Sequence, residues 1–175
     1  DLPALETIGG YFEIVWTSIT ELNLPSLVSV DRYLWVYDND LLNVVDLPSL
    51  AVVNCDIYVG QEDSELPGLI STLNLPNLVT AGRALDILKT QLTQLNFPVL
   101  ASVHSLEIYD NPVLTSISAP VLATAGSSIY IGQDDDVGQG SLANVNFSSL
   151  ASVAGYLEFE RAGPLAAFGF PACRA

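Results

Sequence analysis

Half of the 175 residues are apolar, enough for one domain with a sizeable core, yet no apolar run approaches the length of a membrane span. Twenty acidic residues against five basic ones leave a net charge of −15. That balance argues against nucleic acid or anionic lipid as a partner and fits a soluble extracellular protein or a cation binder. His104 is the only histidine, so neither a histidine metal cluster nor a conventional catalytic triad is available.

Along the chain one step recurs. Leu2-Pro3-Ala4-Leu5, Leu24-Pro25-Ser26-Leu27, Leu47-Pro48-Ser49-Leu50, Leu75-Pro76-Asn77-Leu78, Phe97-Pro98-Val99-Leu100 and Ala119-Pro120-Val121-Leu122 are followed by Phe147-Ser148-Ser149-Leu150, and Phe170-Pro171-Ala172-Cys173 begins an eighth copy. The starts are 22, 23, 28, 22, 22, 28 and 23 residues apart, a period that means one supersecondary unit per copy, stacked on its neighbours. Residues 1–175 therefore read as a single repeat domain with coils starting near 2, 24, 47, 75, 97, 119 and 147, and a partial eighth from 170. A chain that begins in register at Asp1 and contains no Met is expected to be a mature product or an excised fragment.

Within a copy the elements follow in order. After the step comes a short strand (Val28-Ser29-Val30, Val79-Thr80-Ala81, Ala151-Ser152-Val153), then a turn often marked by Gly. An alternating stretch follows: Phe12-x-Ile14, Leu34-x-Val36, Ile57-x-Val59, Leu85-x-Ile87, Leu106-x-Ile108, Ile129-x-Ile131 and Leu157-x-Phe159. A third apolar position closes most copies (Leu22, Val45, Leu73, Leu95, Ile117, Val145). Period-two bursts rich in Val, Ile and Tyr predict strands, and no useful window keeps a helical period. The expected fold is all-β: a β-solenoid of about seven coils of 22–28 residues, its parallel sheets enclosing one continuous core. Two polar columns are expected to satisfy corner backbone groups: Asn23, Asp46, Asn74, Asn96, Ser118 and Asn146 as an amide ladder, and Thr7, Ser29, Thr80, Ser102, Thr124 and Ser152 as a hydroxyl row.

The two 28-residue intervals carry extra residues at one place, after Gln61 and after Gln133, and both excursions are acidic. A three-coil unit of about 72 residues thus reads as duplicated. Cys55 and Cys173 lie five coils apart, over ~20 Å at about 4.8 Å per coil, too far for a disulfide. Cys55 is expected to be a packed thiol, and Cys173 is left to a partner outside the segment.

Leu34-x-Val36-x-x-Asn39 and Leu106-x-Ile108-x-x-Asn111 match the core step of leucine-rich repeats, and Leu5-Glu6-Thr7-Ile8-Gly9-Gly10-Tyr11-Phe12-Glu13-Ile14 resembles the receptor L-domain. The resemblance covers about residues 1–172. It implies a right-handed parallel β-helix of leucine-rich-repeat character, as in the ligand-binding ectodomains of insulin and epidermal growth factor receptors, fungal GPI-anchored cell-wall proteins and bacterial surface repeat proteins. It further implies a non-catalytic, extracellular or cell-surface protein with a binding or structural role. The receptors' disulfide-rich modules are absent, so a receptor role is not implied.

Among candidate sites, the outward middle column reads Glu13, Trp35, Tyr58, Asp86, Glu107, Tyr130 and Glu158. Tyr11, Tyr33 and Tyr156 flank it on one side, with Tyr37 and Tyr109 on the other. Tyr33, Trp35, Tyr37, Tyr58, Tyr109 and Tyr130 make an aromatic face rimmed by carboxylates, suited to a protein or glycan partner; aromatics also favour strands for packing alone. Asp134, Asp135 and Asp136 are the candidate Ca²⁺ donors, with Glu62, Asp63 and Glu65 as counterparts. They lack the spacing of an EF-hand or a Gly-rich nonapeptide, and otherwise read as solvated loops with no cofactor. Asn146-Phe147-Ser148 is the only glycosylation sequon, although Asn146 sits in the ladder column. Asp86 and Glu107, on adjacent coils, have the arrangement of a retaining carboxylate pair, which alternating surface acids also produce by chance. The preferred reading is recognition or adhesion without catalysis. The alternative is a filament or surface-layer block assembling head to tail through open strand edges.

Overall fold

The computed structural model describes residues 2–63, 66–134 and 138–170. Among them are nineteen strands and no helix, and every strand pairing is parallel. Each strand pairs with its counterpart in the next copy of the step. Thr7 opposes Ser29, Ser29 opposes Val52, Val52 opposes Thr80, and Thr80, Ser102, Thr124 and Ser152 continue the row. These offsets reproduce the 22-, 23- and 28-residue spacing of the sequence, an arrangement compatible with a β-solenoid.

Three rows of strands result. The first runs from Thr7–Ile8 to Ser152–Val153 and the second from Phe12–Val15 to Leu157–Glu160. They form one 12-stranded sheet because Thr80–Leu88 and Ser102–Tyr109 run through both. Between these two rows, where a turn often marked by Gly is expected in every copy, the chain at Gly82 and His104 runs on as strand with a bulge, one extra residue between Ala81 and Ala84. Gly82 is required there: a Cβ would stand 2.1 Å from the Asn54 carbonyl oxygen of the preceding rung. The third row splits into a three-stranded sheet (Glu21–Asn23, Val44–Asp46, Thr72–Asn74) and a four-stranded one (Gln94–Asn96, Ser116–Ser118, Asn144–Asn146, Ala167–Gly169). Leu73, at the split, is only half-buried, whereas Leu22, Val45, Leu95, Ile117 and Val145 in the same column are buried.

The recurrent step is a β-turn. The N–H of Leu27 donates to Leu24, Leu50 to Leu47, Leu78 to Leu75, Leu122 to Ala119 and Leu150 to Phe147, at 3.0–3.3 Å. Proline suits the second position because its φ is preset and its missing N–H is not needed. Ser148 holds the same turn without it. Both apolar residues of the step point inward: Leu24, Leu27, Leu47, Leu50, Phe97, Leu100 and Phe147 are all at most 2% exposed. Each such side chain contributes about 1.5–3 kcal/mol by leaving water.

At the opposite corner five copies hold a non-glycine residue in the left-handed region: Trp16, Asp38, Lys89, Asp110 and Arg161, with φ of 47–56°. Behind it a buried amide closes the turn. Asn39 Nδ2 donates to the carbonyls of Ile14 and Tyr37, and its Oδ1 accepts from the N–H and hydroxyl of Thr17. Asn111 repeats this with Ile87, Tyr109 and Thr90. The asparagine that ends the Leu-x-Val/Ile-x-x-Asn step is therefore a fully satisfied clamp between adjacent rungs. In the two 28-residue copies Gln61 and Gln133 take this position, each after a glycine, and an acidic excursion follows. Gly60 has φ 145°, and a Cβ there would lie 1.7 Å from the Leu88 carbonyl oxygen.

Of the amide column expected at Asn23 to Asn146, Asn146 Oδ1 accepts from the Ser148 N–H at 3.2 Å and Asn74 donates to Asp46 Oδ1 at 2.6 Å, whereas Asn23 Oδ1 is buried without a partner. The ladder lies instead within the step, where Ser26, Ser49 and Asn77 donate to the carbonyls of Pro3, Pro25 and Pro48 at 2.6–2.7 Å.

Truncating Asn111 removes four hydrogen bonds at once, although the Tyr109 carbonyl keeps the Lys89 N–H and the Thr90 hydroxyl keeps the Leu92 N–H. Asn111→Ala is expected to lower stability by about 3–5 kcal/mol and Thr90→Val by about 1–2 kcal/mol, read from urea denaturation midpoints.

Candidate functional site

The outward column of the second row is in register as the alternation requires: Glu13, Trp35, Tyr58, Asp86, Glu107, Tyr130 and Glu158 stand side by side on successive rungs. The flanking tyrosines add a second dimension. Tyr11 stacks on Tyr33 (4.8 Å between ring centres) and Tyr33 on Trp35 (4.0 Å). Trp35 then meets Tyr37 edge-on at 6.3 Å, and Tyr37 meets Tyr58 at 5.5 Å and 77°. Five rings are thus in continuous contact across three rungs. Tyr109 and Tyr130 make a separate pair (6.2 Å, 64°), with Asp86 and Glu107 between the two groups. All six predicted face residues are half-buried, because each ring is covered partly by its neighbours. Tyr11 and Tyr156, at the flanks, are exposed.

Carboxylates border the rings. The Tyr37 hydroxyl donates to Glu13 at 3.2 Å and that of Tyr130 to Glu160 at 3.3 Å. Burial, then Glu160 nearby, pushes the Tyr130 phenol up to about 12. Trp35, Tyr37 and Tyr58 with Asp56, Glu62 and Asp86 line a cleft of about 180 Å³; Glu107, Tyr109, Tyr130, Asp134 and Tyr156 line another of about 330 Å³. Asp86 is the unusual group. Its Oδ1 is buried with no hydrogen-bond partner. Desolvation first, then the charges of Glu107 and Asp56, raise its carboxyl to about 7. Asp56 itself is engaged by Arg83 at 3.7 Å and accepts from the Ala84 N–H.

The remaining candidates fall elsewhere. Asp134 is exposed and its N–H donates to Asp110 Oδ1, just as Glu62 and Asp63 donate to Asp38 Oδ1. Glu65, Asp135, Asp136 and Cys173 lie outside the described residues. Among the described residues no group of three or more His, Cys, Asp or Glu side chains is placed to hold a metal ion. Cys55 is a free, half-buried thiol. Asn146 is half-buried at the end of its strand, and its Oδ1 accepts from the Ser148 N–H. His104 is exposed on Ser102–Tyr109, opposite the bulge.

Trp16 is a feature that alternation alone does not reveal. Its left-handed backbone turns the indole outward, 74% exposed, over an open cleft of about 610 Å³ shared with Asp38, Asp40, Gln61 and Asp63. The available signal is positional: Trp16 aligns with Asp38, Lys89, Asp110 and Arg161, a column of corner residues otherwise polar. No protein-family model, curated protein or solved structure matches the chain.

The Asp86 carboxyl binds its proton more tightly folded than unfolded, so its effect on stability is full below about pH 4 and is lost as pH rises to about 7. The groups facing it are Asp56 with its partner Arg83, Glu107, Glu62, Tyr58 and Tyr109. The full shift corresponds to about 4 kcal/mol, which screening at this half-exposed position reduces to about 1–2 kcal/mol. Asp86→Asn is expected to match the wild type at about pH 4 and to exceed it by that amount at about pH 8 in denaturant titrations. Equal stabilities at the higher pH would show that Asp86 ionises normally.

Proposed function

We propose that the chain is a right-handed β-solenoid of about seven coils, of the receptor L-domain and leucine-rich-repeat kind. In this reading it serves as a non-catalytic recognition or adhesion module at a cell surface or in an extracellular matrix, and its Tyr/Trp-bearing sheet holds a protein or glycan. The observation that carries this reading is the run of five contacting rings, Tyr11, Tyr33, Trp35, Tyr37 and Tyr58, on the outward side of a rigid ladder. Rings braced against one another lose little conformational freedom on binding, so contact area converts efficiently into affinity.

The alternative is a filament or surface-layer block that assembles end to end by strand addition along the ladder.

Trp35→Ala and Tyr58→Ala are expected to reduce retention of a partner tenfold or more, about 1.4 kcal/mol each, on a glycan array and a panel of matrix proteins. Unchanged binding by both would remove the aromatic face as the site. Light scattering on size-exclusion fractions, with negative-stain microscopy, decides the alternative: a strict monomer at high concentration rules out the filament.

A further inference from the structure

Two clefts of the same build stand on the aromatic face. In the first, Tyr37 and Tyr58 meet nearly at right angles, and Glu62, from the first acidic excursion, closes the wall with Asp56 and Asp86. In the second, Tyr109 and Tyr130 meet in the same manner, and Asp134, from the second excursion, closes the wall with Glu107. Corresponding residues are 72 positions apart: Tyr37 and Tyr109, Tyr58 and Tyr130, Glu62 and Asp134. Their supports correspond too, since Asp38 and Asp110 hold the N–H groups of Glu62 and Asp134 at 2.8 Å. The duplication has therefore kept a site and not only a packing pattern.

The chemistry of that site is specific. Perpendicular rings wall a corner; they do not lay out a flat platform for a sugar ring. None of the described lining residues is basic, and the whole molecule carries a charge of −15. Aromatic quadrupoles and carboxylates converging on a small volume favour an ammonium or guanidinium group. A neutral occupant would leave the carboxylates desolvated without a counter-charge.

The spacing specifies the occupant further. Tyr58 and Tyr130 are separated by three rungs, through Asp86 and Glu107, or about 14 Å at ~4.8 Å per strand. An extended peptide advances ~3.4 Å per residue and returns to the same face every second one. Side chains four positions apart therefore span about 14 Å on one face, while those three apart point to opposite faces.

We propose that the two clefts form a paired receptor for a basic, extended segment of a partner protein, each cleft taking one lysine or arginine side chain, the two placed four residues apart. This rests on the aromatic sheet being the binding face. The segment lies across the strands, along the stacking direction, and linkage of the two contacts raises affinity above that of either alone.

The test uses fluorescence anisotropy with the intact chain at about 0.15 M salt, where long-range attraction is screened. The probes are Ser/Thr-rich peptides of about ten residues carrying two lysines four apart, the same composition with lysines three apart, and the first peptide with both lysines acetylated. A neutral and an amino-sugar oligosaccharide are added. The first peptide is expected to bind about tenfold tighter than the second, and the acetylated form not at all. Glu62→Gln and Asp134→Asn, exposed positions outside the core, should each abolish the spacing preference, as should Tyr58→Ala and Tyr130→Ala. Equal affinity for the two spacings, binding of the acetylated peptide, or indifference to all four substitutions overturns the proposal. If an oligosaccharide binds in a Trp35- and Tyr58-dependent way and the peptides do not, the aromatic face stands and the paired cation receptor falls. Binding by no probe overturns the proposal as well, and leaves the face to be judged by the array.

Discussion

An in-register parallel ladder governs this molecule, because it forces every residue to share its environment with the residues 22, 23 or 28 positions away. Backbone groups of the interior rungs are taken up by their neighbours, so a side chain pointing inward on one rung points inward on all of them. The apolar columns Leu34-Ile57-Leu85-Leu106-Ile129 and Val36-Val59-Ile87-Ile108-Ile131 are the result, each residue at most 2% exposed. The same constraint decides where the chain is free to vary. Extra residues inside a strand would shift every later side chain to the wrong face. The two excursions therefore leave at a corner, after Gly60 and Gly132, where the following N–H groups are taken up by an aspartate of the rung before.

Buried polar groups are not all satisfied alike. Asn39 and Asn111 are buried and each makes four hydrogen bonds, so the corner they close carries no desolvation penalty. Other oxygens are buried without a hydrogen-bond partner, those of Asn23, Asp38 and Gln133 and, on the outward face, Asp86. Asp86 keeps an unpartnered oxygen beside two like charges, a position that stability alone does not favour. A cationic group bound beside Asp86 would relieve the repulsion from Glu107 and Asp56. That links the electrostatics of the face to the cationic occupant inferred for its clefts.

The aromatic face depends on the ladder for its rigidity. Tyr33, Trp35 and Tyr37 are two residues apart and stand on one side, and Tyr58 arrives beside Trp35 only because the next rung is in register. Ring contacts then fix orientations that isolated surface side chains would not keep. Repetition three rungs later, at Tyr109 and Tyr130, follows from the duplicated 72-residue unit, so a single local geometry becomes a pair with a set separation.

Residue pattern alone determined the strands, the inward columns, the outward column from Glu13 to Glu158 and the place of both excursions, because a period of two within a strand and 22 to 28 between strands are both written in the order of residues. It also marked Asn39 and Asn111, though not the four bonds that explain them. Where it failed, the deciding groups lay on other rungs. The turn expected after the first short strand is a bulge at Gly82, where the carbonyl of Asn54 on the preceding rung leaves no room for a side chain. The expected amide column keeps the Asn74 bond to Asp46 and the Asn146 bond to the Ser148 N–H, while Asn23 Oδ1, opposite Asp46, is buried without a partner. Only tertiary structure decided the angles between rings, the charge on Asp86 and the outward turn of Trp16. Those depend on distances across stacked strands, and spacing along a chain places residues on a face without saying how their side chains meet.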